Sequence, residues 1–185
     1  MKDHQGALAD VTKAADTNPA HAASRAAKVR QLMAMGRAED ASEDVDKLLA
    51  LQPDSLDNRL LRIRQRCEIG DFSTALEDTE AAPVKPKPGD EILRHRAWLL
   101  AVAPDSELRD PKEALEIARQ GCDATGWADP DWLETVAAAY SSLGQFEGAV
   151  GWQTKALAIL EESALPVQKK RLDLYKAHKS YRLGK

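Results

Sequence analysis

Residues 130–163 read PDWLETVAAAYSSLGQFEGAVGWQTKALAILEES. Leu133, Val136, Ala137 and Tyr140 recur at the three- and four-residue spacing that lines one face of a helix. Gly144 interrupts the pattern, and Phe146, Ala149, Ala156 and Leu157 resume it. A glycine after a periodic run supplies the left-handed residue that closes a helix end, because it has no Cβ to clash. The stretch predicts two helices joined by a short turn. Such helices lie close only where a small side chain, here Ala149, sits at their crossing.

The same grammar recurs along the chain. Ala7, Ala41 and Ala75 are 34 residues apart, as are Gly36 and Gly70, and Pro19 and Pro53. Three residue types that share one period define a repeated unit. Each hairpin leaves an apolar face that only the next hairpin covers, so an isolated unit is not expected to fold. Residues 22–55, 56–88, 89–128 and 129–163 each hold one unit. Residues 1–21 read as the second helix of a partial repeat whose first helix is absent.

The unit at 89–128 is irregular: Ala75 to Ala114 spans 39 residues and Ala114 to Ala149 spans 35. The extra length falls in the stretch with Pro83, Pro86 and Pro88, which favours extended backbone, and in an enlarged inter-helix loop from Pro104 to Asp110. Asp110-Pro111 and Asp129-Pro130 each put an acceptor before an N1 proline, a helix start signal. A capping helix at 166–182, running from Val167 to about Tyr181, is expected to turn Leu172, Leu174 and Tyr175 inward. Lys169, Lys170, Arg171, Lys176 and Lys179 would form its solvated outer face.

These landmarks resemble the tetratricopeptide repeat, a 34-residue helix-turn-helix with small, aromatic and Pro positions. Pro130–Ser163 carries the fullest set, without the family's Trp and Gly in the first helix and with Glu161 where Pro is common. Ala97-Trp98-Leu99-Leu100-Ala101, Asp110-Pro111 and Trp127 are similar to a subgroup of bacterial tetratricopeptide proteins frequent in planctomycetes, a likeness that implies no activity. The resemblance implies an all-α fold: a right-handed superhelical solenoid of antiparallel hairpins with a C-terminal capping helix, one domain over residues 1–185. It also implies a noncatalytic role in protein-protein interaction.

Composition agrees with a helical reading. The chain has 31 Ala and 22 Leu against 8 Val and 5 Ile. Its longest apolar run, Ala97–Ala103, is seven residues, where a membrane span needs roughly 20. No secretory signal opens the chain, which favours the cytoplasm. Cys67 and Cys122 lie far apart without ligand-spaced partners, so neither a zinc site nor a disulfide framework is expected. The net charge of −4 has the wrong sign for nucleic acid. Residues 166–185 carry +6 of their own, leaving −10 for the rest.

No Gly-rich phosphate loop, His-x-x-x-His, nucleophile elbow or Cys-x-x-Cys occurs, so no catalytic residue, cofactor or metal is expected. Glu43-Asp44 and Glu161-Glu162 read as solvated acids, His4 as a helix-turn contact, and His95 as exposed or groove-lining. Arg30, Arg64 and Trp98 occupy equivalent places in three successive units, with Arg94 one helical turn before Trp98. On the first helices of a curved stack these residues would line the concave groove, with Asp57, Glu68, Glu91, Asp131 and Glu134 beside them. Such a ladder suits an extended peptide with carboxylates and an apolar or aromatic side chain. The plainer reading has the arginines solvated and Trp98 buried between hairpins.

The chaperone-tail-binding tetratricopeptide domains use a Lys and Asn constellation. The matching places hold Ala26, Arg30, Leu61, Glu91 and His95, so that clamp is not reproduced. Two functions stay open: a module that docks a protein or peptide partner in the groove, without nucleic acid or membrane, or a structural spacer within a longer protein. The second includes self-association through the N-terminal partial repeat, whose apolar face would otherwise be bare.

Overall fold

The computed structural model describes residues 4–18, 20–81, 86–160 and 165–184. Pro19, Pro83 and Glu161-Glu162 lie outside them. Among the described residues the regular structure is ten α-helices and two short 3-10 turns, with no strand. The helices group into two compact units, Met1–Lys85 and Pro86–Lys185.

The first unit holds α1 (His4–Thr17), α2 (Ala22–Ala34), α3 (Ser42–Leu51), α4 (Leu56–Ile69) and α5 (Phe72–Glu80). Each packs on the next, and α2 also touches α4, so the first helices of successive hairpins are neighbours. Their apolar stripes meet in one cluster built on Val29, Leu32, Val45, Leu48 and Leu61, with Leu8 of α1 packed against it. Ala7 departs from its expected place at a crossing. It is exposed, and Ala15 is the residue α1 buries, because no described helix covers the side of α1 on which Ala7 lies.

The second unit holds α6 (Glu91–Val102), α7 (Pro111–Ala124), α8 (Pro130–Ser142), α9 (Phe146–Leu157) and α10 (Leu165–Lys176). These too pack in chain order, and α6 also touches α8. Its main cluster joins Ala97, Cys122, Trp132, Leu133 and Val136. Trp132 is 1% exposed because α7 offers it Gly121, where a Cβ would stand 2.4 Å from the indole.

Local chemistry explains where the helices meet, start and stop. Ala41, Ala75, Ala114 and Ala149 are all fully buried, as close crossings require. Asp110 Oδ1 accepts from the Lys112 and Glu113 amides at 3.0 Å, and Asp129 Oδ1 from the Asp131 amide at 2.9 Å. Pro111 and Pro130 give up no needed donor there. At the other end, Gly144 takes φ 76°, and the Gln145 amide turns back to the Tyr140 carbonyl at 2.9 Å. α10 ends sooner than its pattern predicts. His178 adopts φ 55° and the Lys179 amide closes on the Leu174 carbonyl at 2.9 Å, so Tyr181 lies in a non-helical segment.

Candidate functional site

In the first unit, basic side chains of the first helices meet acids of the second. Arg25 and Lys28 of α2 both engage Asp44 of α3, the lysine at 2.6 Å. One period later Arg62 Nε of α4 donates to Asp78 Oδ2 of α5 at 2.7 Å, with Arg59 Nη1 3.7 Å from the same carboxylate. Each position of this triad is displaced by 34 residues. Asp44 is therefore not the solvated acid its neighbour suggests. Glu43 is exposed, whereas Asp44 is 7% exposed, because consecutive helical residues point in different directions and Asp44 faces α2.

Arg30 and Arg64, also one period apart, are exposed on the neighbouring helices α2 and α4. Asp57 and Glu68 are exposed on α4. His4 meets Gln31, whose amide nitrogen lies 2.9 Å from His4 Nδ1 and donates to the His4 carbonyl at 3.0 Å.

In the second unit, α6, α8 and α10 enclose a cavity of about 240 Å³. Arg94, His95 and Trp98 line it from α6, Asp131, Glu134 and Thr135 from α8, and Gln168 and Arg171 from α10. Arg94 is held by Asp131 at 2.6 Å and Glu91 at 3.3 Å, so the flanking acids stand beside it and neutralise it. Trp98 is half-buried. It lines the cavity and is covered on one face by the Arg171 guanidinium, 4.6 Å from the ring, while Tyr181 lies 5.9 Å away, centroid to centroid.

Arg171 is the main correction to the charged tail. Lys169, Lys170, Lys176 and Lys179 are exposed as expected, but Arg171 turns inward to Glu134 at 2.7 Å. Glu134 is 5% exposed and also accepts from Gln153 Nε2 at 2.8 Å. Burial raises its pKa and outweighs the opposing pull of Arg171 and Gln153. A sequence signal for this pair existed: beyond its first turn Glu134 is the one charged residue of α8, set between Leu133 and Val136, and a buried carboxylate demands a cation. Nothing in the spacing identified Arg171 among seven basic tail residues as that cation.

Burial pushes the Cys67 and Cys122 thiols up to about 12, far from the range of a nucleophilic thiolate. Among the described residues no group of three His, Cys, Asp or Glu side chains could hold a metal ion. Among them too, no helix is long and apolar enough to cross a membrane. Compared with known proteins, the chain matches no family model and no curated protein. The two units present helix faces that carry guanidinium groups, carboxylates and an indole.

Proposed function

We propose that the chain is a noncatalytic interaction module of tetratricopeptide type, a right-handed solenoid that binds a carboxylate-bearing peptide segment of a partner protein along its first helices. The observation that carries this reading is the exposure of Arg30 and Arg64 at the same repeat position on two helices that pack together. Forked guanidinium groups at a fixed spacing suit successive carboxylates of an extended chain. At Arg94 an incoming carboxylate must exchange with Asp131 and Glu91. The module needs no cofactor, metal, nucleic acid or membrane in this role.

Fluorescence anisotropy with a labelled Glu-rich peptide bearing one Phe tests it. Charged hydrogen bonds contribute about 1.5–3 kcal/mol each, so Arg30→Ala/Arg64→Ala should weaken binding at least about tenfold. Equal affinity of the variant and the wild type would remove the proposal.

A second reading, self-association or spacing within a longer protein, draws on an open groove of about 720 Å³ beside α1, lined in part by Leu8, Ala9 and Met35. Light scattering over a concentration series separates the two. A dimer that forms with concentration supports self-association, and a constant monomer mass discards it.

A further inference from the structure

The last described residues return to the ends of α6 and α8 in the second unit. Ser180 Oγ donates to the Ser141 carbonyl at 2.8 Å. Arg182 Nη1 donates to Ser142 Oγ at 2.8 Å and reaches the Ala101 carbonyl at 3.4 Å. The Leu183 amide donates to the Val102 carbonyl at 3.1 Å. Tyr181 lies against Trp98 and the Arg171 guanidinium, 5.9 and 4.8 Å away. The acceptors belong to the last turns of α6 and α8, where carbonyls lack intrahelical partners and the helix dipole favours a cation.

We propose that the C-terminal ends of α6 and α8, together with Trp98, form a docking surface for a non-helical segment carrying an aromatic residue, an arginine and an aliphatic residue. Tyr181-Arg182-Leu183 occupies that surface in cis and competes with a partner segment of the same chemistry. The distinction between docked and permanently packed rests on how the tail is held. Tyr181, Arg182 and Leu183 are each half-buried, whereas Tyr175, which seats α10, is fully buried. Arg182 also shares its helix end with Arg109, which already donates to the Ala103 and Pro104 carbonyls at 2.7 and 3.0 Å. Desolvation first, and the Arg109 charge second, lower the Arg182 pKa, so like-charge repulsion works against the contact.

A tethered segment stays bound through its high local concentration even when each of its contacts is modest, and such a segment exchanges with a competitor. The α10 seat is built mainly within the helix, from Arg171 on Glu134 and from Tyr175 and Leu174 in their cluster, and of the proposed docking segment only Tyr181 touches it. This surface belongs to the second unit and is independent of Arg30 and Arg64.

The test uses a fluorescein-labelled peptide of residues 177–184 as the probe. A chain stopped after Lys179, which keeps the closing turn of α10, should bind it. The full chain should bind at least about tenfold more weakly, because its own tail competes. Peptides carrying Tyr181→Ala or Arg182→Ala should bind the shortened chain at least tenfold more weakly. A shortened chain that keeps its helical circular dichroism and ignores the peptide at millimolar concentration overturns the proposal. So does a full chain that binds as well as the shortened one. Full-length Tyr181→Ala/Arg182→Ala provides the second measurement, in case shortening disturbs folding. Its Leu183 amide should exchange at least tenfold faster than in the wild type, with peptide binding gained, and unchanged exchange or no gain counts as refutation.

Discussion

Arg171 reaches from α10 to Glu134 on α8, Nη1 to Oε2 at 2.7 Å, while its guanidinium lies 4.6 Å from the Trp98 ring of α6. One side chain thus joins three helices of the second unit. The joint is costly as well as cohesive, since Glu134 is desolvated enough to raise its pKa despite the cation beside it.

Arg171→Ala takes the cation from that buried carboxylate and leaves it Gln153, and breaking a buried ion pair costs about 3–5 kcal/mol. The sign of the pH dependence follows from the raised folded pKa. Between the ordinary value of 4.5 and the folded value, the native chain holds the extra proton, so its stability rises as pH falls through that window. The Arg171→Ala deficit at neutral pH should therefore shrink on acidification, because protonated Glu134 needs no cation. Urea denaturation from neutral pH toward 4.5 checks this, and a pH-independent deficit would contradict it.

The two acids that face α4 from α3 and α5 should behave differently. Asp78, 2% exposed, neutralises Arg62 and lies near the 7% exposed Arg59. Asp78→Ala should cost about 3–5 kcal/mol. Asp46 also meets Arg62 and Arg66, but its side chain is 49% exposed, so Asp46→Ala should cost less than about 1 kcal/mol. Parallel thermal melts decide it, and similar losses for both would mean that burial is not what separates them.

Gly121→Ala should destabilise the second unit. Helix propensity alone favours Ala by about 1 kcal/mol. Forcing a methyl against the fully enclosed Trp132 costs about 1–3 kcal/mol and should win. In a Trp132→Leu background the clash is relieved, so the same substitution should become neutral or stabilising. A double-mutant cycle measures the coupling, and additive effects would show that the indole is not the cause.

Much of the helical architecture is legible in residue spacing. Ala41, Ala75, Ala114 and Ala149 mark crossings because nothing larger fits between close helices, and all four are fully buried. Asp110-Pro111 and Asp129-Pro130 mark helix starts because cap chemistry is local. The triads Arg25, Lys28, Asp44 and Arg59, Arg62, Asp78 are written in the same 34-residue period. Reading them requires knowing which helix faces which, so Asp44 passes for a solvated acid beside Glu43. The site is less legible. Arg94 and Trp98 do share one cavity, yet the residues that complete it, Gln168 and Arg171, come from a helix whose charges suggest only a solvated cap.

By itself the sequence determines helix content, the positions of most turns, and the small residues on which hairpins close. Those properties depend on neighbours within a few residues or on a regular period, and both survive in one dimension. Only the tertiary structure decides which charges are neutralised, that Trp98 lies beneath Arg171 and Tyr181, and that Arg182 and Leu183 meet carbonyls about 80 residues earlier in the chain. Burial and Coulombic pairing depend on distance in space. For a basic tail of near-identical residues, spacing along the chain leaves that distance undetermined.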